Sequence, residues 1–223
     1  MLRRLVTTLV LTLVTSGSAV VLPAVDGAPA VAATQQYSAP LSVAIGDLVG
    51  ATEVRTGYSR TLFKHWTDAD GDGCSTRNEV LISEADDPVT VGSGCSLTGG
   101  RWFSYYDGVS WTDPSDIDID HMVPLAEAWD SGASGWSSAV REAFANDLDD
   151  YRSLVGVTDN VNQSKSDKDP ADWLPAQQVC RYVREWVAVK HRWRLSVDGA
   201  ERSALSSVAS GCSDTTITVT LAR

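Results

Sequence analysis

The sequence predicts an α+β fold that is stapled by disulfide bonds. Stretches with the period-two alternation of strands are interleaved with stretches that carry an apolar face at helical spacing. The four cysteines form an even set behind an N-terminal segment typical of exported proteins. Removal of that segment leaves about 190 residues, a length that suits one domain with a single core.

The N-terminal segment, residues 1–33, has the composition of a secretory signal peptide. Arg3 and Arg4 precede an apolar run over residues 5–22, and small residues surround a cleavage position near Ala32. The alternative is an uncleaved membrane anchor, which the threonines and serines of the run disfavour. We therefore expect a secreted protein, because no later stretch of the sequence is apolar enough to cross a bilayer.

The chain is acidic, with a formal net charge of −11. Loss of the signal peptide removes two positive charges (Arg3 and Arg4) and one negative charge (Asp26), so the mature chain carries −12. An acidic surface favours solubility outside the cell. It excludes the broad basic surface by which many proteins bind polyanions, so any attraction for phosphate has to be local.

The four cysteines, Cys74, Cys95, Cys180 and Cys212, are expected to form disulfides because the chain is exported. Three connectivities exist. We predict the pairs that are near in sequence, Cys74 with Cys95 and Cys180 with Cys212. Their spacing does not match a zinc ribbon, in which cysteines occur as close pairs.

An acid-rich stretch, residues 68–79, satisfies the pattern of an EF-hand calcium loop. Three acids alternate, a glycine permits the sharp turn, and a distal acid completes the set, Asp68, Asp70, Asp72 and Glu79. Two features detract, since Ser75 stands where an aliphatic residue normally packs and Cys74 belongs to a predicted disulfide. The stretch is therefore either a calcium site or an Asp/Gly turn that the disulfide holds.

Alternation, aromatic content and helical spacing predict the remaining elements. In order they are helices Leu41–Val49 and Tyr58–Trp66, an aromatic hairpin Arg101–Trp111 turning at Asp107-Gly108, strand Asp116–His121, helix Pro124–Trp129, helix Ser137–Leu148, strand Ser153–Val157, a turn Asn162–Lys165, helix Ala176–Leu195 and helix Asp198–Ser210. Pro124 suits a first helical turn and Ser137 a helix cap. The two strands that flank the helical insertion are expected to pair with each other.

Four polar side chains are expected to meet where the first of these strands ends. Asp120 and His121 close the strand, and Asn162 and Lys165 lie in the turn that follows its partner strand. A carboxylate and an amide oxygen are hard ligands for Mg²⁺, and a neutral imidazole can take a proton from water at neutral pH. These groups together suit metal-assisted hydrolysis of a phosphodiester.

At these residues the chain resembles the HNH endonuclease superfamily, the ββα-metal nucleases. Residues 120–124, Asp-His-Met-Val-Pro, look like its D-H-x-x-P signature, and residues 162–167 are similar to its N-x-x-K-x-D segment. Asn146 matches the middle N of the name. The likeness covers about residues 58–212 and extends to secreted bacterial proteins related to the C-terminal domain of the GmrSD restriction endonucleases.

The resemblance implies a ββα-metal core with a helical insertion and flanking helices, and a role for each matched residue. His121 would be the general base, and Asp120 and Asn162 the metal ligands. Lys165 would contact phosphate or orient the site, and Asn146 would belong to the catalytic set. The family often has His at the Asn162 position and carries C-x-x-C zinc pairs that this sequence lacks, which favours Mg²⁺ or Mn²⁺ over a structural zinc.

Basic residues are the candidates for contact with a nucleic-acid backbone. Most lie in the predicted helix Ala176–Leu195, and the full set is Arg77, Arg181, Arg184, Lys190 and Arg192. The alternative for the helix is that its positive charges complement its own dipole and nearby acids. The alternative for Arg77 is a surface ion pair.

The sequence thus predicts a signal peptide (1–33), an N-terminal extension (34–57) and an HNH endonuclease-like domain (58–223). Its expected activity is metal-dependent hydrolysis of DNA, with RNA as a second candidate substrate. The rival hypothesis is an exported binding module of the same fold that calcium stabilises and that has no catalytic activity.

Overall fold

The computed structural model describes residues 35–223, and the predicted signal peptide lies outside them. The helices are α1 (Leu41–Asp47), α2 (Thr76–Ser83), α3 (Leu125–Asp130), α4 (Ser138–Ala145), α5 (Asp159–Lys165), α6 (Val179–Trp193) and α7 (Gly199–Ala209). The strands are β1 (Gln36–Pro40), β2 (Asp87–Val91), β3 (Leu97–Ser104), β4 (Val109–Trp111), β5 (Ile117–His121), β6 (Leu154–Thr158) and β7 (Thr216–Thr220). The predicted α+β class and its two disulfides are confirmed.

Three small antiparallel sheets form the β part of the described chain. Strand β1 pairs with β7, strands β2, β3 and β4 form a meander, and β5 pairs with β6. The predicted aromatic hairpin corresponds to β3 and β4, where Trp102 lies opposite Trp111. The pairing of β1 with β7 places residues assigned to the N-terminal extension in the same compact unit as the rest of residues 34–223.

Helix α6 lies at the centre of the main core. Tyr182, Val183, Trp186 and Val187 on this helix are fully buried, as expected where apolar residues recur at helical spacing. They belong to one cluster with residues of α1, α3, α4, β6 and α7. None of the helices within residues 35–223 is both long enough and apolar enough to cross a membrane.

Both predicted disulfide pairs are confirmed. Cys74 is joined to Cys95, and Cys180 at the start of α6 is joined to Cys212 just after α7. The bonds close loops with sequence separations of 21 and 32 residues. In the chain-entropy account, loops of this length contribute roughly 3–4 kcal/mol each to the free energy of unfolding.

Side chains cap the first turns of α4 and α7, whereas one predicted helix does not form. The hydroxyl of Ser137, the predicted cap, accepts a hydrogen bond from Val140 N at the start of α4. The carboxylate of Asp198, which was not predicted as a cap, accepts from Glu201 N at the start of α7. The predicted helix Tyr58–Trp66 is wrong, since only a single 3-10 turn forms, at Arg60–Leu62. This segment instead runs across α3 and α4, where the ring of Phe63 packs against Trp129 and Phe144.

The predicted turn Asn162–Lys165 is also wrong, because these residues form the end of helix α5. The helix stops at Lys165, where Ser166 takes a positive φ of 54°. Helix α5 packs against both β5 and β6. The observed order is therefore strand, helical insertion, antiparallel strand and helix, and it brings Asn162 and Lys165 to the end of β5.

Candidate active site

A pocket of roughly 510 Å³ opens at the end of β5. Asp120 and His121 from this strand line it, together with Asn162 from α5 and Arg60 from the irregular segment after α1. Asp120 and His121 reach the pocket because they are the last residues of β5, and their side chains project where the sheet ends. The structure thus brings three of the predicted site residues to one surface.

His121 is buried and held in one orientation. Its Nε2 lies 2.9 Å from the carbonyl oxygen of Ala145 at the end of α4. Because a carbonyl only accepts, Nε2 carries the proton and Nδ1 keeps a lone pair. Burial lowers the pKa of His121 to about 3. The imidazole is therefore neutral at physiological pH, in the state that a proton acceptor requires.

Asn146 does not line this pocket, and its place in the catalytic set stays a prediction. Its Nδ2 donates to the carbonyl oxygens of Lys64 and Glu142, both at 2.8 Å. Its Oδ1 accepts from Thr67 N and from the Thr76 hydroxyl, both at 3.0 Å. The amide is fully used in fastening residues 64–67 to α4, and it positions the neighbouring Ala145 carbonyl that holds His121.

Lys165 is completely buried, so the predicted contact of this residue with phosphate is wrong. Its Nζ donates to both carboxylate oxygens of Asp120 at 2.8 Å and to the carbonyls of His121 and Met122 at 3.0 and 3.1 Å. Its contacts are those of a residue that orients the site, which was the alternative expected from the resemblance. Burial lowers the pKa of Lys165 and raises that of Asp120, while their mutual attraction opposes both shifts.

The donor set of the pocket fits a hard divalent cation. The Nδ2 of Asn162 donates to Asp118 at 3.3 Å, which leaves its Oδ1 as an acceptor. Lys165 and the Tyr106 hydroxyl, 2.6 Å from Asp120 Oδ2, fix the Asp120 carboxylate. One carboxylate and one amide oxygen suit Mg²⁺, which takes few protein ligands and fills its remaining positions with water and phosphate.

Arg60 is the residue of this pocket that sequence reasoning missed. It is exposed and lines the same pocket as His121, whose pKa its positive charge helps to lower. No local signal marked it, because the sequence around it predicted an ordinary helix. It places a positive charge beside the proposed ligands in an otherwise acidic protein.

The structure corrects most of the candidates for nucleic-acid contact. Lys190 and Arg192 are buried, Lys190 between Glu127 and Glu201 and Arg192 against Asp147, so neither can reach a backbone. Arg77 donates to the carbonyls of Pro114 and Ile117 and holds the entry to β5. Arg181 and Arg184 are partly exposed, but they line a different groove.

The acid-rich loop is exposed and folded around its own side chains. Asp68, Asp70 and Asp72 have carboxylate oxygens within 4.8 Å of one another. Asp68 accepts hydrogen bonds from Gly71 N and Gly73 N. Glu79 lies in the first turn of α2, and burial together with the three aspartates raises its pKa. Both the calcium site and the disulfide-held turn remain predictions.

Calcium binding by this loop predicts a change in stoichiometry on substitution. We expect Asp70→Ala to bind one calcium ion fewer per chain than wild type in a calorimetric titration of EDTA-dialysed protein, since it removes a central ligand. The calcium-induced rise in melting temperature should fall in parallel. An unchanged number of bound ions would leave the Asp/Gly turn as the correct account.

Comparison with known proteins identifies relatives of this chain. The family described as "GmrSD restriction endonucleases, C-terminal domain" matches residues 87–208, more than half of the chain. A protein of Arthroderma benhamiae described as "Uncharacterized secreted protein" is 49% identical over 158 residues, which cover 70% of this chain and 76% of the relative. No solved structure matches the chain.

These relatives agree with the resemblance to a nuclease-related family and with the expected location. The sequence pointed to bacterial proteins, whereas this relative is fungal. The two disulfides and the secreted relative agree with the predicted export, and the protein is secreted. The match over residues 87–208 includes β5, β6 and α5, which carry the pocket residues Asp120, His121 and Asn162. The chain belongs to the family of the GmrSD restriction endonuclease C-terminal domains.

Proposed function

We propose that this protein is a metal-dependent endonuclease of the HNH type that hydrolyses phosphodiester bonds in DNA, with RNA as a second candidate substrate. The observation that carries the proposal is the imidazole of His121, held by the Ala145 carbonyl at a pocket that Asp120 and Asn162 also line. The antiparallel pair of β5 and β6 followed by α5 supports a ββα core. Membership of a nuclease-related family supports the substrate class.

Each pocket residue has a distinct part in this reaction. Bound Mg²⁺ or Mn²⁺ would stabilise the negative charge that develops on the phosphate, and Asp120 and Asn162 would hold the ion. His121 takes a proton from the attacking water at Nδ1. Its Nε2–H donates to the Ala145 carbonyl oxygen throughout, and this hydrogen bond keeps the ring from turning. Lys165 holds the Asp120 carboxylate from the protein interior and does not contact the substrate.

Nicking of supercoiled plasmid with and without EDTA tests the proposal. We expect relaxed circles in the presence of Mg²⁺ or Mn²⁺ and none with EDTA. The same assay with single-stranded RNA decides whether RNA is also cut. Absence of metal-dependent cutting of either substrate would contradict the proposal and favour the calcium-stabilised binding module.

Arg60 is expected to contact the phosphate backbone. Replacement by alanine should lower kcat/KM for nicking by about 10- to 150-fold, mainly through a higher KM, because one charge-assisted hydrogen bond contributes roughly 1.5–3 kcal/mol. Arg181→Ala is the matched control, since this arginine lies outside the pocket. An equal or larger loss in Arg181→Ala would instead locate the backbone contact on α6.

A further inference from the structure

A second group of acidic side chains lies outside the pocket of His121. Carboxylate oxygens of Glu53, Glu127 and Asp130 lie within 4.8 Å of one another. Glu53 also belongs to an adjoining group, formed with three further acids whose oxygens lie within the same 4.8 Å limit, Asp169, Asp198 and Glu201. None of the six residues lines the pocket of His121.

Two oxygens in this group are buried without a hydrogen-bond partner among residues 35–223. Asp130 is only 6% exposed; its Oδ2 accepts from Arg55 at 2.5 Å, and its Oδ1 has no partner. Oε1 of Glu53 is likewise buried and unpartnered. A buried carboxylate oxygen that has lost water and gained no other partner is destabilising. Both oxygens therefore indicate a ligand that the protein side chains do not supply.

The charges of the group are also unbalanced. Lys190 forms ion pairs with Glu127 and Glu201, and Arg55 pairs with Asp130. Six carboxylates against these two cations leave a formal excess of four negative charges. Arg55 compensates less than one full negative charge of this group, because it also pairs with Asp167, which lies outside the group.

A shared proton is the alternative to a bound cation. Burial, followed by the neighbouring charge of Glu127, raises the pKa of Glu53 to about 8, so Glu53 can be protonated towards Glu127 when no metal is bound. That proton would remove one negative charge. It would not provide a partner for Oδ1 of Asp130, and three excess charges would remain.

We propose that Glu53, Glu127 and Asp130 bind a calcium ion, with Asp169, Asp198 and Glu201 around them. Ca²⁺ takes about six to eight oxygen ligands, whereas Mg²⁺ keeps several waters and is usually held by one or two carboxylates. A group that offers carboxylate oxygens from six residues fits the ion with the larger number of ligands. The ion connects the irregular segment around Glu53 to α3, the helix that follows the His121 segment, and it adds a site that is distinct from the proposed nuclease centre.

Calcium titration tests this site in variants whose exposed acid-rich loop has lost one of its proposed ligands. Asp70→Ala protein, dialysed against EDTA, should bind calcium and melt about 5–10 °C higher when calcium is 100 times Kd. Asp130→Asn in the same background keeps the shape of the side chain but removes its charge, and it should lose most of the binding and of the rise. Asp149→Asn is the matched control, because the Asp149 side chain is 96% exposed, and it should change neither.

Two results would overturn the proposal. One is an Asp70→Ala protein that binds no calcium at millimolar concentration, and the other is full calcium binding by Asp130→Asn in that background. If Asp130→Asn does not fold, as judged by circular dichroism, Glu53→Gln in the Asp70→Ala background replaces it. If the group holds a shared proton and no cation, Glu53→Gln will leave the calcium titration unchanged. The proposed site requires the affinity for calcium to fall at least tenfold in this variant.

Discussion

Replacement of His121 by alanine is expected to slow plasmid nicking by about 10²–10⁴-fold, the usual contribution of a general base. The pocket keeps the oxygens of Asp120 and Asn162, so affinity for Mg²⁺ or Mn²⁺ should change little. Asp120→Ala and Asn162→Ala should instead weaken metal binding, and excess metal should partly restore their activity. Nicking rates beside calorimetric metal titrations separate the base from the ligands.

His191 offers a matched control for this substitution. Its Nε2 lies 2.8 Å from the Ala44 carbonyl, the same type of bond that holds His121, and its ring stacks on Tyr37. It lies outside the pocket. His191→Ala should therefore share the structural cost of losing an imidazole but retain the nicking rate. If His121→Ala cuts as fast as His191→Ala, the assignment of His121 as the base is wrong.

Replacement of Lys165 by methionine is expected to lower the free energy of unfolding by about 3–5 kcal/mol, as when one partner of a buried ion pair is removed. Methionine has a similar length but offers no charge, so the buried Asp120 carboxylate would keep, among residues 35–223, only the Tyr106 hydroxyl as a hydrogen-bond donor. Chemical denaturation measures the change. Nicking should fall as well, because the Asp120 carboxylate would no longer be held in place.

Two further variants distinguish the ion pair from simple loss of a lysine. Lys168→Met removes an exposed lysine three residues beyond α5 and should change stability by roughly 0.5 kcal/mol or less. The double variant Asp120→Asn with Lys165→Met leaves no buried charge unpaired, so it should recover much of the loss. A double variant that is no more stable than Lys165→Met would contradict the ion-pair explanation.

The sequence by itself determined the features that depend on neighbouring residues and on composition. The alternation at residues 116–121 predicted β5, and the capping residue Ser137 predicted where α4 begins. Export and an even number of cysteines predicted the two disulfides. The motifs around His121 also indicated which side chains meet, and the structure places Asp120, His121 and Asn162 at one pocket.

Only the tertiary structure decided which charged residues face solvent. In sequence, Lys165, Lys190 and Arg192 look like surface cations, yet each is buried against at least one carboxylate that lies 45 or more residues away along the chain. The segment 58–66 has helical spacing, but packing of Phe63 against α3 and α4 holds it in an irregular path. Hydrophobic periodicity and helix capping depend on residues that lie within one or two helical turns of each other. Burial, ion pairing and the meeting of acids from separate segments depend on residues far apart in sequence, which no local pattern specifies.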